Sequence, residues 1–148
     1  MGIADDDRIT AYGLFLEAFT AVNAHIESEL EAVAGISGAE FGVLLRLART
    51  PGEHLRMTDL AEGAGLSTSG MTRLVDRLEA AGFVDRAACP VDRRGLEAVL
   101  TAKGRKLVQK TLPAHLDSLE EHIVGPLCGK LDALEGPMRL LRDSARKR

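Results

Sequence analysis

The sequence predicts a mostly α-helical fold that carries one two-strand hairpin, with helices at both chain ends left over for self-association. Three observations predict it. Apolar residues recur every three or four positions in several stretches, and few stretches alternate like strands. Aliphatic residues and Ala dominate over one Tyr, four Phe and no Trp. Residues 57–100 hold, in order, a short helix signal, a tight turn, a second helix and a hairpin with a polar tip. At 148 residues the chain suits a single domain, 1–148, large enough to bury a core without staples.

Ile9, Tyr12, Leu16, Phe19, Val22, Ile26, Leu30 and Val33 give a long first helix one apolar face, and Gly35 stops it. Ser37 and Glu40 form an S-x-x-E capping box for a second helix through Phe41, Leu44, Leu45 and Ala48, which Pro51-Gly52 ends. Thr58 is the expected cap of a third helix, with Gly65 as the flexible turn residue and Leu66 as its apolar plug. Ser67 caps the fourth. There Met71, Leu74, Val75 and Leu78 fall at i, i+3, i+4 and i+7, one buried stripe. Gly82 suits the end of that helix, and 83–88 with 96–100 make the two antiparallel strands. Thr101 caps a long fifth helix that Pro113 should kink. Gly125-Pro126 marks a break, and Asp132 with Glu135 reads as another capping arrangement before Met138, Leu140 and Leu141. The tail Arg146-Lys147-Arg148 is expected to fray.

The formal charge is −3, which opposes binding to phosphates, but its distribution does not. Residues 1–53 hold three basic and nine acidic residues, 54–110 ten and seven, and 111–148 six of each. The positive excess therefore lies on the helix–turn–helix and hairpin, and the acidic surplus lies elsewhere. Residues 1–7 are acidic and polar, unlike a signal peptide, and no apolar stretch reaches the roughly 18 residues of a membrane span. The expected location is the cytoplasm, with no membrane partner.

The order helix, turn, helix, hairpin is that of a winged helix-turn-helix, in which the second helix enters a major groove and the wing touches the neighbouring minor groove. Double-stranded DNA is therefore the leading ligand. Short polar side chains near the start of the second helix allow close approach to base edges and phosphates, while Arg grips guanine with two prongs or pairs with phosphate. Ser69, Thr72 and Arg73 fit those tasks. Thr68 fits either capping or contact, Ser67 is better read as a cap, and Arg77 suits a backbone phosphate. Gly70 costs about 1 kcal/mol of helix propensity relative to Ala, and its missing side chain permits a closer approach. Arg93 and Arg94 at the hairpin tip suit a narrow minor groove, with Asp92 orienting one of them through a charge-assisted bond.

The block STSGMTRLVDRLEAAGFVDR followed by PVDRRGLEAVLTAKGRKL resembles the MarR family of bacterial transcription regulators. The resemblance rests on T-R-L-V-D-R-L in the recognition helix, the Gly-apolar step into the wing, the Asp-Arg-Arg tip and the Leu-Thr-x-x-Gly start of the next helix. It covers about a third of the chain. Ala87-Ala88 depart from it, where relatives often carry a more basic strand. The resemblance implies a ligand-responsive repressor that works as a homodimer. Ser69, Thr72, Arg73 and Arg77 would lie in the major groove, with Arg93 and Arg94 on the wing. Residues 37–100 would be the winged helix-turn-helix, and 8–34 with 101–146 the dimerisation helices. Apolar faces at both chain ends argue independently for a dimer. The same resemblance implies a small amphipathic or aromatic effector; Tyr12, Phe15, Phe19, Phe41 and His115 are candidates to line its cavity, although core packing is the default reading of each. The alternative function is a protein-interaction module that offers Arg73, Arg77, Arg93 and Arg94 to an acidic partner.

No enzyme is expected. There is no convincing Ser-His-Asp order, phosphate-loop glycine pattern or paired-carboxylate motif. Cys89 and Cys128 form no C-x-x-C, and His25, His54, His115 and His122 form no H-x-x-x-H pair, so neither a metal nor a cofactor is expected. Cys89 on the wing would sense oxidants only if exposed beside an arginine, and no redox switch is expected.

Overall fold

The protein, in a computed structural model that describes residues 6–92 and 94–146, forms six α-helices and three β-strands among those residues, besides short 3-10 and π-helical turns at Pro51–Glu53 and Glu120–Val124. They are α1 (Asp7–Ala34), α2 (Gly38–Ala48), β1 (His54–Arg56), α3 (Met57–Ala64), α4 (Thr68–Ala80), β2 (Val84–Ala88), β3 (Leu96–Leu100), α5 (Ala102–Leu119) and α6 (Asp132–Arg146). The chain divides into two compact units: the described parts of Met1–Ile26 with Leu116–Arg148, and Glu27–His115.

In the Glu27–His115 unit, the ends of the helices follow local chemistry. Gly35 turns the chain out of α1 at φ +67, a conformation that costs a residue with a Cβ. At α2 the capping box is complete: Ser37 Oγ accepts the Glu40 N–H at 3.2 Å and the Glu40 carboxylate accepts the Ser37 N–H at 2.9 Å. Helix α3 begins without a side-chain cap. Its N-cap position is Arg56, and Thr58 lies one residue inside the helix. Thr58 is therefore not the cap, because the chain enters α3 straight from a strand the sequence does not announce. Gly65 takes φ +66, and Leu66 donates its N–H to the Ala61 carbonyl at 3.0 Å. That bond closes the turn through the backbone, so Leu66 is no plug and stays 39% exposed.

The core of this unit is the stripe Met71, Leu74, Val75 and Leu78 of α4, all buried, packed with Phe41, Leu44 and Leu47 of α2, Leu60 of α3 and Val84, Ala98 and Leu100 of the sheet. Strands β2 and β3 pair antiparallel from Val84↔Leu100 to Ala88↔Leu96. Strand β1 adds to the other edge of β3, with Leu55↔Ala98, giving the order β1-β3-β2. The expected two-strand wing thus rests on a third strand. Three residues, His54-Leu55-Arg56, are too few to give a strand signal; β1 exists because β3 offers its free edge.

Thr101 caps α5, its Oγ1 accepting the Gly104 N–H at 3.0 Å. Gly104 is buried where a Cβ would lie 2.2 Å from the Phe83 carbonyl oxygen. The Leu-Thr-x-x-Gly sequence is therefore a seat for α5 against the start of the wing.

Helix α5 accommodates Pro113, and α-helical geometry gives way downstream to a π-helical turn at Glu120–Val124, closed by the Gly125 N–H on the Glu120 carbonyl at 2.8 Å. The break at Gly125-Pro126 follows, with Cys128 and Gly129 at positive φ. Asp132 opens α6 inside its first turn, and Glu135 bonds Arg139 one turn on, so the anticipated capping pair is replaced by an i,i+4 ion pair. Lys147 and Arg148 lie outside the described residues, as does the end of the basic tail.

Candidate nucleic-acid interface

The outer face of α4 follows from its inner one. With Met71, Leu74, Val75 and Leu78 buried, Thr68, Ser69, Thr72, Arg73, Asp76 and Arg77 are all exposed. Ser67 caps the helix by accepting the Gly70 N–H at 3.1 Å, and its hydroxyl shares a 3.1 Å hydrogen bond with that of Ser69. A Cβ on Gly70 would lie 3.2 Å from Ser67 Oγ, so the glycine leaves room for the cap. Thr72 donates its only hydroxyl proton to the Thr68 carbonyl at 2.9 Å. Its outward side then offers lone pairs and a methyl group, suited to an amino group or a thymine methyl rather than to a phosphate oxygen.

The charges of α4 are unequal. Arg77 donates to Glu40 at 2.8 Å, so it staples α4 to the capped start of α2 while its side chain stays 60% exposed. Burial pushes the Glu40 carboxyl up, but the bonds from Arg77 and Ser37 outweigh it and hold it below its ordinary range. Arg86, on β2, reaches back to α4 and donates to Glu79 at 2.5 Å, Asp76 at 2.7 Å and the Thr72 carbonyl at 3.2 Å. Among the described residues Arg73 has no hydrogen-bond or ion-pair partner. Asp76 and Glu79 are matched by Arg86, and Arg73 remains the unbalanced charge of the helix.

Sequence reasoning missed Arg86. The available signal was a lone cation on the same face of β2 as buried Val84, opposite carboxylates at i and i+3 of α4.

At the wing tip, Asp92 Oδ1 accepts the backbone N–H of Arg94 at 3.0 Å, and the Gly95 N–H bonds the Asp92 carbonyl at 2.9 Å. Asp92 thus shapes the turn through the backbone, and the exposed Arg94 guanidinium has no partner among the described residues. Arg93 lies outside the described residues. Cys89, 3% exposed under the tip, does not meet the exposure that a wing thiol sensor requires.

A capped helix crossing an antiparallel hairpin, with its free cation and hydroxyls outward, defines a winged helix-turn-helix. A family model described as MarR family matches residues 34–95. Rv2887, an HTH-type transcriptional repressor of Mycobacterium tuberculosis, is 34% identical over 110 residues, 74% of this chain and 76% of its own length. YetL, an HTH-type transcriptional repressor of Bacillus subtilis, is 29% identical over 72% of this chain, and the chain spans 65% of YetL, just under two thirds. The crystal structure of Sco3205, a MarR family transcriptional regulator from Streptomyces coelicolor in complex with DNA, is 32% identical. Its TM-score is 0.85, and the match covers 92% of this chain and 89% of that one. The chain belongs to the MarR family of winged helix-turn-helix transcription regulators.

Proposed function

We propose that this chain is a sequence-specific double-stranded DNA-binding regulator, a repressor that acts as a homodimer on a palindromic site. The observation that carries the proposal is the unpartnered Arg73 on the exposed face of α4, between hydroxyls already oriented by the helix. Thr68, Ser69, Thr72 and Arg73 meet base edges in the major groove. Arg77 meets phosphate with the guanidinium nitrogens that Glu40 leaves unused. Arg93 and Arg94 enter the minor groove, and Asp92 sets the turn that presents Arg94. Residues 37–100 do the reading; 8–34 and 101–146 pair the two copies. The repressor names of Rv2887 and YetL and the DNA in the Sco3205 crystal support this reading.

Regulation follows if a small amphipathic or aromatic effector favours one spacing of the two recognition helices over another. Of the aromatic candidates, Phe41 is buried with His115 edge-on to it at 5.1 Å. Tyr12, Phe15 and Phe19 are exposed in the single chain, where core packing does not account for them. The protein performs no catalysis of its own and works in the cytoplasm; among the described residues no helix is long and apolar enough to cross a membrane.

Selection of bound fragments from random duplex DNA tests the proposal. Enrichment of a two-fold-symmetric motif, lost at high salt, is the expected result. No enrichment, together with capture of an acidic protein through the same arginines, would replace it with a protein-interaction role.

A further inference from the structure

Gly63 stands in the last turn of α3, where Ala would be the better helix former and no positive φ asks for glycine. Its neighbour supplies the reason. A Cβ at Gly63 would overlap the guanidinium of Arg46, which crosses from the last turn of α2 and donates to the Gly63 carbonyl at 3.2 Å. The Arg46 backbone is itself held, because its carbonyl accepts the Thr50 hydroxyl at 2.8 Å. The last carbonyls of a helix have no partner within it. In α3 those of Ala61 and Glu62 are answered by the Leu66 and Gly65 N–H groups at 3.0 and 3.2 Å, and that of Gly63 by Arg46. A cation at this end also suits the helix dipole. The turn so closed, Gly65-Leu66, runs directly into Ser67, the cap of α4.

We propose that Arg46 is a positioning residue for duplex reading: with Gly63 as its seat, it holds the end of α3 on α2 and so fixes the direction in which α4 leaves the turn. The inference rests on the reading of α4 as the helix that enters the major groove. Helix α3 has eight residues, too few to be stable alone, so its end is fixed by what packs on it. Leu60 and Ala61 anchor its buried side. Beyond them, exposed Leu66 adds no apolar anchor, and Arg46 is the side chain that ties the last turn down. Hydrogen bonds to base edges weaken steeply away from their best distance and angle. Apparent affinity therefore falls in proportion to the fraction of molecules that keep the reading geometry. A guanidinium that touched the duplex instead would show itself in salt dependence, since each neutralised phosphate adds about 0.9 to the slope of log affinity against log salt.

The gentlest way to break the contact is Gly63→Ala. The added methyl displaces the end of a flexible side chain rather than backbone, and Ala favours the helix, so the midpoint of urea unfolding should hold or rise. Affinity for the palindromic duplex selected from random DNA should nevertheless fall about tenfold, the equivalent of one exposed charge-assisted hydrogen bond, with the salt slope unchanged. Arg46→Ala should lose as much, and the double variant no more than either, because a single contact is removed in all three. Parent-like affinity in either single variant, while the parent chain binds the duplex, would overturn this inference alone. Additive losses in the double variant would overturn it too, as would a lowered urea midpoint in Gly63→Ala large enough to account for the lost binding. A salt slope reduced by about 1 in Arg46→Ala would make Arg46 a phosphate contact instead. A parent chain that selects no duplex would remove the reading of α4 and this inference together.

Discussion

Arg73 and Arg77 sit one turn apart on α4, yet only Arg77 has an internal carboxylate to answer it. Arg73→Ala should therefore cost about 1–3 kcal/mol of binding at the preferred site and relax discrimination at one base, measured by competition among operator variants. Arg94→Ala should weaken all sequences alike and lower the slope of log affinity against log salt by about 1. Equal binding by both variants and the parent chain would remove these assignments. His115 is a different kind of site. Its Nδ1 is buried without a hydrogen-bond partner, and burial holds the imidazole below its ordinary 6.5, against the pull of Glu29. The unfolded chain then takes up the proton first. The contribution to stability is full above pH 6.5 and is lost as the pH falls through 6.5 toward the folded value. Denaturant melts at pH 7.5 and 5.5 should show a smaller loss on acidification in His115→Leu than in the parent; an equal loss would assign the pH dependence elsewhere.

Elements meet at two residues, Gly104 and Arg86. Gly104 lets the first turn of α5 lie against the Phe83 carbonyl, and an added methyl would meet a backbone atom that cannot move aside. Gly104→Ala should destabilise the fold by about 2 kcal/mol, the cost of overpacking exceeding the gain in helix propensity, as read from the midpoint of urea unfolding. Arg86 fastens the wing strand to the recognition helix through two carboxylates and a carbonyl. Arg86→Ala should lower stability by about 1–2 kcal/mol, because both carboxylates are partly exposed, and should weaken DNA binding further by leaving Asp76 and Glu79 unneutralised. Lys at this position should restore little, since it lacks the planar fork that reaches three acceptors. Full DNA affinity in Arg86→Ala would show that the clamp positions nothing the duplex reads.

At the scale of the molecule, apolar surface is what the single chain fails to hide. Tyr12 and Phe19 of α1 are each 63% exposed, and Leu140 of the strongly amphipathic α6 is 75% exposed. A second copy is the proposed cover, and two-fold symmetry would set paired recognition helices about 34–36 Å apart, one turn of duplex. The double variant Phe19→Glu, Leu140→Asp should sediment as a monomer and lose palindrome binding while retaining its helical circular dichroism. A stable dimer in that variant would place the interface elsewhere.

What the sequence determined by itself is whatever depends on neighbours a few residues apart. The Ser37–Glu40 box, the Ser67 and Thr101 caps, the left-handed glycines at 35, 65 and 82, and the α4 stripe are all written in spacings of three or four, and each is present in the structure. The exposed row Thr68, Ser69, Thr72 and Arg73 follows from that stripe by subtraction. Only the tertiary structure decided the rest. Strand β1 owes its existence to the edge of β3, Arg86 acquires its meaning from carboxylates on another element, and Leu66 is left outside because the backbone had already closed its turn. His25 likewise meets His122 from the far end of the chain. The physical reason is the range of the interactions: capping and periodicity act within a turn of helix, whereas strand pairing, ion pairing across elements and ring stacking depend on distances that exist only after the chain has folded.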